Sequence, residues 1–205
     1  MRRWMLLNAH AIALGNEKIQ KLLTYLFLLM FLVQTEAFAQ SEIESIKKSI
    51  SANVIFIRHA LAPGFGDPPD FTKEDCSTQR NLNNKGRLQA QLIGDYLKKS
   101  NLLFSEILTS EWCRCIDTAK ELDIGQWETF SGLNSFFEGH EKKDTVMAKL
   151  RRKLASLKPS DLVLFITHQV VITELTDEVP RSGEMVLYNS ITKQKSRFVV
   201  DFQHH

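Results

Sequence analysis

Two short apolar runs, each followed closely by a histidine, constrain the fold of this chain more than any other feature. Asn53–Ile57 is followed by Arg58 and His59, and Leu162–Ile166 is followed two residues later by His168. Uninterrupted apolar runs of this length are typical of strands buried on both faces, as in parallel sheets. Since the carboxyl ends of parallel strands meet at one edge of a sheet, where ligands bind, both imidazoles are expected at that edge.

The rest of the pattern predicts alternating helices and strands. Asn83 is expected to cap a helix over residues 84–98, and Ser110 is expected to cap a helix over residues 111–121. The other predicted elements are strands at 106–109 and near 128–130, an amphipathic helix over 141–157, and a closing edge hairpin at 184–188 and 196–202. This alternation predicts a single-domain α/β fold, a three-layer α/β/α sandwich around a mostly parallel sheet.

The first 39 residues have the pattern of a secretory signal peptide. Basic residues precede the uncharged apolar stretch 22–33, and Ala37-Phe38-Ala39 offers a small-x-small cleavage signal. The stretch is shorter than the ~20 residues of a membrane-spanning helix. We therefore expect a signal peptide at 1–39, a catalytic domain at 40–205, a periplasmic or secreted protein, and no stable membrane association after cleavage. An uncleaved anchor or a buried helix is the alternative.

Charge and cysteine content argue against several classes of protein. The chain has 26 basic and 24 acidic residues, a net charge of +2, so nucleic-acid binding through bulk charge is not expected. Its three cysteines are too few for a disulfide scaffold and are not spaced as a zinc site. No metal or other cofactor is expected.

Cationic side chains accumulate near the predicted sheet edge. Arg58 precedes His59, Arg114 lies in the first turn of a predicted helix, and Arg80 lies just before another helix start. Taken singly, each arginine is a typical surface ion-pair residue and each histidine a typical structural one. Together, three guanidiniums and two imidazoles would bind a dianionic tetrahedral oxyanion, most simply phosphate.

Four segments, in order, resemble the motifs of the histidine phosphatase superfamily, the phosphoglycerate-mutase-like proteins. Phe56–Ala60 resembles the Arg-His-Gly opening, and Arg80–Ala90 resembles R-x-L-(S/T)-x-x-G-x-x-Q-A. Ser110–Ala119 resembles S-x-x-x-R-(A/C)-x-x-T-A, and Thr167–Gln169 resembles the late (S/T/G)-H-G. The resemblance covers about residues 53–190 and is to the branch without a His-Asp pair, particularly its exported bacterial members.

The resemblance implies a role for each motif residue. His59 would be the nucleophile and become phosphohistidine, and Arg58, Arg114 and His168 would form the phosphate pocket. Arg80 would support the pocket or reach the substrate. The chemistry of these side chains agrees, because cationic groups around a transferring phosphoryl group do the work that Mg²⁺ does elsewhere.

Three positions depart from the family pattern. Ala60 and Gln169 each replace a glycine that usually follows the catalytic histidine. More important, Ser135 stands where many members carry the Glu of Leu-x-Glu, their usual proton donor. Glu138 and Asp67 are the nearest candidates to replace that acid, and the alternative for both is a solvated surface carboxylate.

Export would make a disulfide plausible. Cys76 is expected to bond Cys113 or Cys115, with Cys113 preferred because the position of Cys115 in the motif is often filled by a small buried residue. The bond would tie the Arg80 segment to the helix that carries Arg114. Three free thiols are the alternative.

These observations lead us to expect a metal-independent phosphohydrolase that works through a phosphohistidine. Its substrate would be a small phosphomonoester or a phosphorylated glycan or cell-envelope component. A phosphohistidine or phosphoanhydride phosphatase is an alternative, for which a missing acid costs less. A non-catalytic protein that binds phosphate-bearing ligands is another, although the intact set of His59, Arg58, Arg114 and His168 argues against it.

Overall fold

The computed structural model describes residues 42–100 and 102–201, together with residues 20, 24 and 25. The chain divides into two units, residues 1–42 and 43–205. In the first unit, Thr24 Oγ1 donates to the backbone oxygen of Gln20 at 2.7 Å. The predicted signal peptide and its cleavage site otherwise lie outside the described residues. No helix in the described part of the chain is long and apolar enough to cross a membrane.

Six strands form one sheet in the second unit, in the order β3-β2-β4-β1-β5-β6. Strands β1 to β4 are mutually parallel, whereas β5 pairs antiparallel with β1 and β6 antiparallel with β5. The two apolar runs therefore form neighbouring central strands, and the predicted hairpin closes one edge. Their bounds are β1 Val54–Arg58, β2 Glu106–Thr109, β3 Glu128–Thr129, β4 Val163–Thr167, β5 Met185–Tyr188 and β6 Lys195–Phe198.

Helices cover both faces of the sheet, because alternate residues of the central strands face opposite sides. Ile55 and Ile57 pack with residues of α1, α2 and α3, whereas Val54 and Phe56 pack with residues of α4 and α5. The predicted three-layer fold is thus confirmed. The helix bounds are α1 Glu42–Ser49, α2 Asn84–Lys99, α3 Cys113–Leu122, α4 Lys143–Ser156 and α5 Gln169–Thr176.

The two predicted helix caps have different outcomes. The Asn83 side chain accepts from the backbone N–H of Gly86 at 2.9 Å, so this cap is confirmed. The Ser110 cap is wrong: α3 begins at Cys113, and its N-cap residue Trp112 makes no side-chain capping bond. Ser110 Oγ instead lies within 2.9 Å of His168 Nε2, a closer partner than the backbone N–H of Trp112 at 3.3 Å.

Candidate active site

Strand register brings the two histidines to one edge of the sheet. Arg58 of β1 pairs with Thr167 of β4, and the N–H of His59 continues the ladder by donating to Thr167 O at 2.9 Å. His168 follows Thr167 directly, and the two imidazole centroids lie 5.5 Å apart. The parallel strands therefore deliver both rings to one place, as their positions after the apolar runs predict.

The backbone after His59 is fixed by two residues of other elements. The N–H of Ala60 donates to Thr118 Oγ1 at 3.0 Å, and the N–H of Leu61 donates to Gln89 Oε1 at 2.9 Å. A Cβ at Gly86 would lie 2.0 Å from the Leu61 oxygen, so only glycine lets α2 approach this segment. The loop that carries His59 is therefore held by α2 and α3 together.

A backbone carbonyl fixes the tautomer of the buried His59 ring. It is 2% exposed, and its Nδ1 lies 2.8 Å from Ala60 O. A carbonyl only accepts, so Nδ1 carries the proton and Nε2 keeps its lone pair. Burial, and then the positive charge of Arg114, lowers the pKa of His59 well below its ordinary value of 6.5. The ring is therefore neutral at pH 7, as a nucleophile must be.

His168 is equally buried but differently held. Its Nε2 lies 2.9 Å from Ser110 Oγ and 3.5 Å from the Cys115 sulfur. The Trp112 ring meets the imidazole edge-on at 5.5 Å. Burial first, followed by the charge of Arg114, lowers the pKa of His168 well below its usual value. This side chain therefore offers the site a neutral imidazole whose orientation is fixed by Ser110.

Arg58 and Arg114 each keep a buried donor free. Arg58 Nη1 donates to Gln169 Oε1 at 2.7 Å and to Pro180 O at 3.0 Å. The Nε atoms of Arg58 and Arg114 are buried and have no partner in the part of the chain that the structure describes. An unsatisfied buried donor costs about 1–3 kcal/mol, more for charged groups. Both side chains line the cavity, so their guanidiniums place positive charge beside an anion bound there.

Asp67 forms a buried ion pair with Arg114. Its Oδ1 and Oδ2 accept from Arg114 Nη1 and Nη2 at 2.7 and 3.2 Å, and both side chains are 4% exposed. Trp112 Nε1 and the N–H of Arg80 also donate to this carboxylate, at 3.1 and 3.0 Å. Burial raises the pKa of Asp67, but the bonds and charge of Arg114 outweigh it, so the pKa is lowered. An ionised carboxylate has no proton to give, so in this arrangement Asp67 does not suit the role of general acid.

Arg80 fastens the loop that follows His59. Its Nε donates to Gly66 O at 2.8 Å, and its Nη1 donates to Ala62 O. Of the two roles that the resemblance implies for Arg80, these contacts correspond to support of the pocket. The guanidinium still lines the cavity, so it adds positive charge there.

A cavity of about 200 Å³ joins these groups. Arg58, His59, Arg114 and His168 form one part of its wall, while Phe65, Phe137 and Val170 form an apolar part. The remaining lining residues are Gly64, Gly66, Arg80, Ser135 and Gln169, and none of the lining residues is a carboxylate.

Ser135 and Glu138 lie on the segment where the family acid would be expected. Ser135 lines the cavity, is 3% exposed, and accepts from the N–H of Phe137 at 3.2 Å. Glu138 is turned toward the loop, where its Oε2 accepts from the N–H of Asp67 at 3.2 Å. Glu138 therefore supports the loop in this arrangement rather than facing the cavity.

A disulfide links the two segments that carry Arg80 and Arg114. Cys76 and Cys113 are bonded, with Cα atoms 5.7 Å apart, while Cys115 is a buried free thiol. Burial raises the pKa of Cys115 to about 12, so this thiol is not a nucleophile at neutral pH. Among residues 42–100 and 102–201, no group of three or more His, Cys, Asp or Glu is arranged to hold a metal ion.

Sequence reasoning missed several side chains of the cavity. The sequence marks Gln169 only as a departure from glycine, whereas its amide oxygen anchors Arg58. The replacement of glycine by Gln169 could have indicated this contact, because a long polar side chain beside His168 needs a hydrogen-bond partner. Phe65 and Phe137 give no signal, since one lies in a Pro/Gly loop and the other in a single 3₁₀ turn, Phe137–Gly139.

The fold and the site define an α/β protein with a neutral histidine set among guanidiniums at the carboxyl end of a parallel sheet. No protein-family model and no curated protein matches the sequence. Solved structures do match: Rv3214 from Mycobacterium tuberculosis is 18% identical, with 74% of this chain and 98% of that chain covered and a TM-score of 0.55.

TTHB049 from Thermus thermophilus is 13% identical, with 72% of this chain and 99% of that chain covered and a TM-score of 0.51. The protein histidine phosphatase SixA complexed with tungstate is 19% identical, with 71% and 94% coverage and a TM-score of 0.49. The chain thus shares its fold with Rv3214 and TTHB049, which agrees with the fold that the motif resemblance implies.

Proposed function

We propose that this chain is a metal-independent phosphatase that works through a phosphohistidine on His59. The observation that carries the proposal is the cavity wall itself. A neutral imidazole with its Nε2 lone pair free lies beside two buried guanidiniums, Arg58 and Arg114, whose Nε–H groups have no acceptor among the described residues. This arrangement suits a phosphoryl group, which needs a nucleophile on one side and cations around its oxygens.

The first step forms a bond between His59 Nε2 and phosphorus. The Nε2 lone pair attacks, the bond from phosphorus to the leaving oxygen breaks, and its electron pair leaves with that oxygen. The N–H of Nδ1 stays bonded to Ala60 O, which keeps the ring in place as positive charge develops on it. Arg58 and Arg114 stabilise the charge on the phosphoryl oxygens.

The second step returns the free enzyme. A water oxygen attacks phosphorus, the bond between phosphorus and Nε2 breaks, and its electron pair returns to the imidazole. The water protons pass to phosphate and solvent. His168 lies 5.5 Å from His59 ring to ring, and we propose that it bonds a phosphoryl oxygen in both steps.

The presence of Ser135 in place of an acid favours substrates with good leaving groups. Protonation of a leaving oxygen typically contributes about 10²–10⁴-fold in rate, and none of the described residues that line the cavity is a carboxylate. A small phosphomonoester or a phosphorylated glycan or envelope component is the general proposal. A phosphohistidine or phosphoanhydride phosphatase is the second candidate, because those leaving groups depend less on an acid from the protein. A panel of these substrates under single-turnover conditions distinguishes the two.

The decisive experiment combines labelling with a matched histidine variant. Wild-type protein quenched in alkali after mixing with a ³²P-labelled aryl phosphate should carry label on His59. His59→Ala should abolish both label and turnover, whereas His140→Ala should retain both, since His140 packs on Phe71 away from the cavity. Label on a serine would overturn the mechanism, and phosphate binding without turnover would make the chain a binding protein.

We also propose that the protein acts in the periplasm or outside the cell. The support is the pattern of residues 1–39 together with the Cys76–Cys113 disulfide, since disulfides persist in oxidising compartments. Expression of the full chain in a Gram-negative host should yield a periplasmic protein whose N-terminus is Gln40. Recovery of the uncleaved chain in the cytoplasm would contradict this proposal.

A further inference from the structure

Two phenylalanines lie where the cavity meets the solvent. Phe65 is 85% exposed and Phe137 is 37% exposed, and both line the cavity that contains His59. Their ring centroids are 5.1 Å apart with an interplanar angle of 88°. Single exposed phenylalanines are common on protein surfaces, but these two lie together at the cavity that contains His59, Arg58 and Arg114.

The loop that carries Phe65 is held by specific polar contacts. Gly64 and Gly66 have φ values of 99° and 66°, which place Phe65 between two left-handed residues. Arg80 fastens the flanking backbone oxygens of Ala62 and Gly66, and Asp67 anchors the far end through Arg114. Phe65 is therefore presented by a structured loop at a defined place above the cavity.

The size of the cavity limits what enters it. Its volume is about 200 Å³, whereas sites for drug-sized ligands measure roughly 300–1,000 Å³. An engineered apolar cavity of about 150 Å³ is enough to bind benzene. A phosphoryl group and part of one ring would fill a space of this volume, and the rest of the ring would reach Phe65, which lines the same cavity.

We propose that Phe65 and Phe137 form an aromatic subsite that binds the planar leaving group of an aryl phosphate or a ring-borne phosphoramidate. The inference rests on the proposed function and names the substrate class of the same site. A ring held there would have its phosphoryl group directed at Arg58, His59 and Arg114. The ring of the leaving group itself stabilises the negative charge on the departing atom. Such a leaving group requires no acid from the protein, which suits a site that has Ser135 in place of the acid.

Binding of non-hydrolysable phosphonates tests the subsite without turnover. Calorimetry compares phenylphosphonate, methylphosphonate and inorganic phosphate on the wild type, Phe65→Leu, Phe137→Leu and the control Leu103→Ala. Leu103 is 88% exposed and lies outside the cavity, so it matches Phe65 in exposure. Leucine keeps apolar bulk but removes the flat ring, and the high exposure of Phe65 means that its variant should fold.

An aromatic contact contributes beyond simple burial, so we expect phenylphosphonate to bind wild type about tenfold more tightly than methylphosphonate. Phe65→Leu and Phe137→Leu should each reduce that ratio to about twofold or threefold, and Leu103→Ala should preserve it. A wild-type ratio near one, or a ratio that neither phenylalanine variant changes, overturns the subsite.

Catalysis is tested separately on phenyl phosphate and a fluorinated alkyl phosphate of matched leaving-group acidity. Faster phosphorylation by phenyl phosphate, lost in Phe65→Leu, supports the subsite. Equal rates in the wild type count against it, because acidity alone then governs the reaction. If phenylphosphonate binds about tenfold more tightly than methylphosphonate but neither ester is turned over, the aromatic subsite is supported and the proposed function is overturned.

Discussion

Replacement of Asp67 by asparagine should destabilise the protein, because Asp67 is the one carboxylate that neutralises Arg114 in the described structure. Both side chains are 4% exposed. Removing one partner of a buried ion pair typically costs about 3–5 kcal/mol, since the other charge is left uncompensated. The asparagine oxygen can still accept from Trp112 Nε1 or from the N–H of Arg80, so we expect the lower end, about 3 kcal/mol.

The measurement is urea-induced unfolding at pH 7 in a buffer without phosphate. Asp123→Asn serves as the matched control, because Asp123 pairs with Lys98 at 2.9 Å but is 84% exposed. The control should unfold close to the wild-type midpoint. A loss below about 1 kcal/mol in Asp67→Asn would refute the reasoning, because the burial of the pair would then have no energetic consequence.

Inorganic phosphate should recover part of this loss. With Asp67 neutral, the pocket carries one more net positive charge and the Nη groups of Arg114 become available to an anion. Ligand at about 100 times its dissociation constant stabilises by about 2.7 kcal/mol. Because the variant should bind phosphate more tightly, the same phosphate concentration should raise the unfolding free energy of Asp67→Asn more than that of the wild type. Equal increments would show that the carboxylate does not influence the phosphate site.

The pH dependence has a defined sign. The pKa of Asp67 is lowered in the folded protein, so its stabilisation is fully present above its unfolded pKa of about 3.9 and is lost as pH falls toward the folded value. Asp67→Asn lacks this contribution at every pH. The gap in unfolding free energy between wild type and variant should therefore be constant from about pH 7 to about pH 5 and should narrow below about pH 4.

Three further predictions concern catalysis and the disulfide. Because the pKa of His59 is well below 6.5, single-turnover phosphorylation should stay flat as pH falls from about 8 to about 6, and an acid limb centred on 6.5 would contradict the neutral, buried ring. Cys76→Ser should lower the unfolding free energy by about 2–4 kcal/mol, because it removes the disulfide that closes a loop of 37 residues, and calorimetry with a non-reduced wild-type control checks this. Glu138→Gln should slow phosphorylation by alkyl phosphates less than about threefold, and a loss of about 100-fold or more would identify Glu138 as the missing acid.

Most of the fold could be predicted because its signals are local. A continuous apolar run predicts a buried strand, and the runs ending before Arg58 and Thr167 are the least ambiguous in the chain. Helix starts are less predictable, since a serine after a strand has several possible partners. Ser110 Oγ lies 2.9 Å from His168 Nε2, 58 residues away, whereas the first N–H of α3, that of Cys113, donates to Gln79 Oε1 at 2.9 Å, 34 residues away.

The site was predictable only where a motif or strand end marked it. His59 and His168 follow strands, but the Asp67–Arg114 pair joins residues 47 positions apart across a loop of no regular pattern. From the sequence, Asp67 is a candidate only for the acid. Its ion pair with Arg114 depends on the direction of a guanidinium, which the sequence does not define. The Phe65–Phe137 contact likewise depends on side-chain directions in two irregular segments.

In the proposed mechanism, one electrostatic arrangement has two effects at His59. Burial and the charges of Arg114, Arg58 and Arg80 lower the pKa of His59, which keeps its Nε2 unprotonated. The same charges would attract a phosphate dianion, so the proposal assigns to one field both the unprotonated nucleophile and the binding of its substrate. If these guanidiniums were removed, the His59 pKa would rise as phosphate affinity fell. Variants of Arg58 should accordingly show both changes together: the acid limb of the pH–rate profile should move to higher pH, and phosphate should bind more weakly. A purely steric role for Arg58 would not produce this pair of changes.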